Sequence, residues 1–249
     1  MQKTLLALAI AAVALPSHAI GAGDLAFTSF NADEDGWAMV SLTDLAANTK
    51  VYFTDNEWTG SAFNGGESYS SWTSGSTVIS AGSVIRFSKT DSATLLAASV
   101  GTLSRETVSG SSNWGLSQTS DTLYAYLGTS ATAATTFLSA ITSGTFGTLA
   151  DGTLTNTGLS VGNGAVQLSV GSDYAQYSGL RTGQTTFAGY KASVSNVANW
   201  TDSGDGSYAA SVPNTTAFAV TAVPEPETYA LLLAGLGVVG FMARRRRAL

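Results

Sequence analysis

Leu25-Ala-Phe-Thr-Ser-Phe-Asn-Ala-Asp-Glu-Asp-Gly-Trp-Ala-Met-Val-Ser-Leu42 reads as two strands joined by an acidic turn. Over Leu25–Phe30, alternation puts Leu25, Phe27 and Ser29 on one face and Ala26, Thr28 and Phe30 on the other, the period of an extended chain. Asn31–Gly36 then gathers three carboxylates and a glycine, and Trp37–Leu42 resumes the apolar run.

The flanking sequence repeats this theme. Lys50–Thr54 is aromatic and β-branched, as strands are. Asn56–Gly75 is a Gly/Ser/Thr loop carrying Trp58, Phe63, Tyr69 and Trp72, with a short strand predicted near Tyr69–Trp72. Ser83–Ser88 follows a Ser80-Ala81-Gly82 turn, and Asp91 is placed to cap a short helix through Ser99, stopped at Gly101. Asp121–Leu127 reads as a strand ended by Gly128, Ala134–Ile141 fits helix or strand, and Gly144–Gly164 is loop-like. Ala165–Val170 and Thr216–Thr221 read as late strands. Many short strands with Gly-rich turns predict an all-β antiparallel sandwich with short helices in its connections. No exact repeat is visible, which argues against a solenoid or propeller.

Both ends differ from this body. Met1–Ala19 has Lys3, an apolar stretch Leu5–Leu15 and Ser17-His18-Ala19, the layout of a cleavable signal peptide. Val223–Leu249 opens on Val223-Pro224-Glu225-Pro226, continues as an apolar run from Tyr229 to Ala243 and ends in Arg244, Arg245, Arg246 and Arg247. The prolines hold the preceding residues extended. The run is 15 residues, about 22 Å as a helix, against a hydrocarbon core of roughly 30 Å. Thr228 and snorkelling arginines close much of that gap. The expectation is a C-terminal transmembrane helix, with the arginines as cytoplasmic anchor and the body outside. Gly235–Gly240 spells G-x-G-x-x-G, but no βαβ unit surrounds it, so a dinucleotide site is not read there.

Between the ends lies an expected ectodomain, residues 20–222. Six basic residues against fifteen acidic ones give it a net charge of −9, which repels nucleic acid. With 44% hydrophobic and 11% charged residues the chain should fold. It has no cysteine, so its core must replace disulfides.

The only histidine, His18, lies in the signal peptide. The remaining chain therefore has no Ser-His-Asp triad, Cys-His pair or His-based zinc site. Carboxylate chemistry is left. Glu34, Glu57, Glu67 and Glu106, with several aspartates, are candidates for the carboxyl pair of a glycosidase, and Asp55 and Glu57 stand two apart. Asn31, Asp33, Asp35 and Gly36 match the opening of a calcium loop, although position 12 would be Leu42 where a Glu is expected. The alternative is a plain polar turn. Asp202-Ser-Gly-Asp205-Gly206 is a weaker case. Trp58 and Trp72, with Trp114 and Trp200, are candidates for stacking on sugar rings or for the core.

The tail, by its Val223–Pro226 motif, apolar run and Arg244–Arg247, resembles the PEP-CTERM sorting signal of Gram-negative bacteria. That resemblance implies transient recognition by an exosortase, inner-membrane insertion before processing, and association with exopolysaccharide and biofilm. In the body, the order from Asp24 to Ser88 is similar to lamin-tail-like domains, which implies an immunoglobulin-like sandwich acting as a scaffold or binding module. The second strand departs from that family, since Ala38–Leu42 has no Glu. Two functions follow: a non-enzymatic protein of the cell surface or extracellular matrix, exported through the inner membrane, or a secreted carbohydrate-active enzyme using a carboxylate pair.

Overall fold

The computed structural model describes residues 19–221, and beyond them the helical positions 231, 233–236, 238, 239 and 244. The expected signal peptide up to His18, the Val223–Pro226 motif and Arg245–Arg247 lie outside the described residues. Among the described residues no helix is long and apolar enough to cross a membrane.

The strands in chain order are β1 (Leu25–Asn31), β2 (Gly36–Ser41), β3 (Lys50–Thr54), β4 (Tyr69–Thr73), β5 (Val84–Ser88), β6 (Ala97–Ala98) and β7 (Thr102–Arg105). They continue as β8 (Thr122–Ser130), β9 (Ala133–Thr142), β10 (Ser160–Val161), β11 (Gly164–Gln167), β12 (Tyr174–Tyr177) and β13 (Trp200–Asp202), with a short helix α1 (Lys191–Ser195) before the last. One sheet has the order β13-β12-β1-β2-β5-β6, the other β10-β11-β9-β8-β3-β4-β7.

The first sheet is antiparallel throughout. The second is mixed, because β9, β11 and β10 run parallel, and this corrects the wholly antiparallel expectation. Parallel neighbours need a crossover of a dozen or more residues. The chain from Ser143 to Asn163 supplies one between β9 and β11, whereas the two-residue β10 sits only two residues before β11 and pairs with its start through a tight local turn.

The sheets pack face to face. Phe27, Met39, Ile85 and Phe87 of the first meet Val51, Phe53, Trp72, Leu123 and Ile141 of the second in one core. Phe53 sits 5.0 Å from Trp37 and 5.1 Å from Phe87 between ring centroids, and Trp72 meets Phe87 edge-on at 5.7 Å. The second sheet is covered on its other face too. Tyr52, Tyr69, Tyr124, Tyr126 and Phe137 form an outer core beneath Trp58, Phe63 and Leu159 from the long loops. Alternate residues of β3 and β8 therefore enter different cores, which is why these strands are aromatic-rich and buried along most of their length.

Three local expectations change. A register shift between Phe27 and Ser29 breaks the alternation, so Phe27 and Phe30 join the same core rather than opposite faces. The helix expected over Asp91–Ser99 is a single turn, with Ser92 O accepting from Leu95 N and Leu96 N, before Ala97 and Ala98 pair with β5. Edge pairing wins there over a weak cap. Thr216–Thr221 forms no strand but one bridge, Val220 to Gln184. It is held by the Arg181 guanidinium, which donates to Thr216 O at 2.8 Å and Asn214 O at 3.1 Å.

With no disulfide, the inner core carries the stability. Phe53→Ala should cost about 3–5 kcal/mol. Leu149→Ala, at a residue 91% exposed, should stay within about 0.5 kcal/mol. Urea unfolding compares the two, and equal effects would refute the assignment of the core.

Candidate functional site

The second sheet brings three carboxylates together. Asp55 follows the last residue of β3, Glu67 lies two residues before β4, and Asp121 directly precedes β8. Thr54 of β3 is opposite both Tyr69 of β4 and Tyr124 of β8. The three acidic residues therefore meet at one end of adjacent strands. One oxygen from each lies within 4.8 Å of the others. Asp55 is 1% exposed and Asp121 5%, while Glu67 is half-buried.

Each aspartate is fixed through one oxygen. Asp55 Oδ1 accepts from Ser68 N at 2.8 Å and Ser68 Oγ at 2.6 Å, and Asp121 Oδ2 accepts from Ser117 N at 2.6 Å. Asn56 braces the same turn, its Oδ1 accepting from Glu67 N and its Nδ2 donating to Ser68 O. The remaining oxygens, Asp55 Oδ2, Glu67 Oε2 and Asp121 Oδ1, are buried without a hydrogen-bond partner.

Burial raises the proton affinity of all three, and the charges of neighbouring carboxylates add to it. Asp55 is pushed up to about 6, with Glu57 adding to the effect, and Glu67 to about 7 under the charges of Asp55 and Glu57. Asp121 is raised well above the usual carboxylate range by burial and by Asp55, Glu67 and Glu57. The ion pairs of the described residues, Lys50–Glu106, Arg86–Glu34 and Lys191–Asp24, involve none of the three. Such a trio can share protons or bind a cation.

The residues singled out from sequence are placed otherwise. Asn31 Oδ1 accepts from Glu34 N at 3.0 Å, and its Nδ2 donates to Tyr208 O at 3.0 Å. Asp33 Oδ2 accepts from Tyr208 N at 2.5 Å, so both residues tie the acidic turn to the segment after β13. Asp35, at φ 55°, turns away and accepts from Leu116 N at 2.7 Å. Burial pushes its pKa up to about 6 against the lowering by that bond, with Asp91 adding repulsion. Asp202 accepts from Ser172 Oγ and Ser169 N and so fastens the turn before β12 to β13.

Trp72 is fully buried, with its Nε1 donating to Val100 O, so its ring has no face for a sugar. Of the two sequence readings of Trp72, sugar stacking or core, its place between the sheets fits the core. Trp58 is 8% exposed, packs on Phe63 and Phe137, and borders a depression of about 240 Å³ with Glu57 and Asn64. Glu34 and Glu106 are committed to their ion pairs. Glu57 bonds Asn64 and stays outside the trio. Asp121 was missed as a site residue. The signal for it was positional, since Asp121 opens one strongly predicted strand and Asp55 directly follows another.

The family model described as "PEP-CTERM protein-sorting motif" matches residues 222–247. The chain carries that sorting motif. PEP-CTERM marks an exported protein that an exosortase recognises transiently and sorts to the cell envelope or surface. No curated protein and no solved structure matches the chain.

The trio fixes a pH dependence. Its raised pKa values mean that the folded chain keeps protons the unfolded chain has lost between about pH 4 and 7, so raising pH through this window lowers stability. In chelator, the melting temperature should fall from pH 5 to pH 7.5, and Asp121→Asn should flatten the fall. An unchanged profile in that variant would refute the account.

Proposed function

We propose that the chain is a non-enzymatic module of the bacterial surface or extracellular matrix, anchored by its tail in the inner membrane until an exosortase acts, and associated thereafter with exopolysaccharide. The single observation that carries the reading is the PEP-CTERM motif at residues 222–247, behind a β-rich body. The helical positions 231, 233–236, 238, 239 and 244 agree with a membrane-inserted helix before processing, and Leu231, Leu233, Leu236, Val238 and Val239 are exposed.

The strand order supports an immunoglobulin-like sandwich. The run β1-β2-β5 in one sheet and β4-β3-β8-β9 in the other corresponds to A-B-E facing C′-C-F-G. Sandwiches of this kind serve many display and binding roles, so the architecture fits a module without naming its ligand.

The alternative, a carbohydrate-active enzyme, calls for two carboxylates and aromatic rings around one groove. The depression beside Trp58 has only Glu57 as a carboxylate. A second depression, of about 370 Å³, has Asp33 and Asp173 but no aromatic ring. Both aspartates there accept backbone N–H groups, of Tyr208 and Gly206. These features favour the module.

Deleting Val223–Leu249 should move the protein from the envelope fraction to the periplasm or medium, read by fractionation and immunoblotting. An unchanged envelope fraction would refute the sorting role. The purified protein should bind the producer's exopolysaccharide without releasing reducing sugar, and sugar release would promote the enzyme instead.

A further inference from the structure

We propose that Asp55, Glu67 and Asp121 hold one hard divalent cation, calcium, which clamps the ends of β3, β4 and β8. The inference is independent of exopolysaccharide binding, and its failure would leave the sorting motif untouched.

Spacing is the first argument. Two oxygens bound to one calcium at about 2.4 Å stand at most about 5 Å apart. The three carboxylate oxygens lie within 4.8 Å of one another, the separation a shared ion requires. The free oxygens are the second argument. Asp55 and Asp121 are more than nine-tenths buried, and each keeps one oxygen with no protein partner. A buried carboxylate oxygen without a partner is costly, and a bound cation is one of the few ways to satisfy it. Their other oxygens are held by Ser68 and Ser117, so the free ones are fixed in place before any ligand arrives.

The donor set selects the metal. Carboxylate oxygens without nitrogen or sulfur suit calcium, magnesium or manganese. Magnesium keeps several of its waters and needs near-ideal octahedral geometry at about 2.1 Å. Two aspartates each held through one oxygen, by Ser68 and Ser117, have little freedom to meet that geometry. Calcium tolerates irregular oxygen cages, and the half-buried Glu67 leaves one side open for water to complete its coordination. As an exported protein, the chain meets extracellular calcium. Sites of extracellular modules have Kd values of about 10⁻⁴–10⁻³ M.

The position gives the ion a consequence. Asp55 and Glu67 stand at the two ends of the loop that carries Trp58 and Phe63 over the outer core. An ion bound to both, and to Asp121, closes the base of that loop against the sheet.

The test uses the full-length protein in detergent, stripped with chelator and titrated with calcium chloride by calorimetry and thermal melting. The expected result is one calcium per chain. At calcium about 100 times Kd, the folded-to-unfolded ratio should rise about 100-fold, moving the melting temperature by about 5–10 °C. Asp55→Asn and Asp121→Asn should each abolish the shift. Each should also melt, without metal, no lower than the parent, since they remove repulsion and keep shape. Asp33→Asn should leave the shift intact. The proposal is overturned if calcium produces no shift, or if the shift survives both asparagine variants. Loss of the shift in Asp33→Asn alone would place the ion in the acidic turn and overturn it equally. A larger shift with magnesium than with calcium would overturn the choice of metal.

Discussion

Phe53 is in ring contact with Trp37 and Phe87, at 5.0 and 5.1 Å, and through them joins the two sheets. In a chain without cysteine this packing replaces covalent cross-links. Each large aromatic ring removes about 150–250 Å² from water and adds pairwise geometry beyond area alone. Trp72 extends the contact, and its Nε1 bond to Val100 O holds the turn before β7. Gly101 completes that turn at φ 76°, where a Cβ would come within 2.3 Å of Thr73 O. The chemistry at the strand ends depends on this frame, because only a fixed sheet can hold three anions within reach of one another.

The second sheet is covered on both faces, and this decides where polar groups end up. Loops crossing its outer face carry Trp58, Phe63 and Leu159 down onto Tyr52, Tyr124 and Tyr126. At the ends of β3, β4 and β8, Ser68 and Ser117 close on the two aspartates, and carboxylates that would be solvated at an ordinary strand end are buried. Burial then dominates their proton affinity, with mutual repulsion added. At the first sheet the acidic turn meets backbone N–H groups instead, and Asn31 and Asp33 act as fasteners for the segment near Tyr208.

Local pattern exposed much of this fold. Lys50–Thr54 is a strand with the bounds its composition predicts, and the strands around Leu25, Trp37, Val84 and Leu123 were equally plain, since aromatic and β-branched runs between glycines leave few alternatives. The turn at Ser92 was misread because capping signals are local, whereas β6 exists only by pairing with β5. Thr102–Arg105, Tyr174–Tyr177 and Trp200–Asp202 are too short to show a clear alternation, and neighbours rather than propensity make them strands. The bulge near Thr28 has no sequence signature of its own, so Phe30 was assigned to the wrong face. The carboxylate trio was hidden for a related reason. Its members span Asp55 to Asp121 in sequence and become neighbours only through the pairing of β3 with β4 and β8. The acidic turn at Asn31–Gly36 is a candidate legible in the sequence because its residues are adjacent.

The tail and the body illustrate two kinds of legibility. A sorting signal works through apolar length, terminal charge and a rigid proline motif, properties a linear sequence states directly. A binding site built from strand ends is a property of topology. If the trio binds calcium, the two parts are connected by stability as well as by sequence. The ion would close the loop from Asp55 to Glu67 and tie it to β8, and because it binds only the folded chain its binding free energy would add to the stability of the fold. The cost of burying three like charges would then be met by a ligand the protein encounters once exported. Cysteine-free composition, buried carboxylates and export would be aspects of one arrangement, in which hydrophobic packing sets the frame and an ion fastens its end.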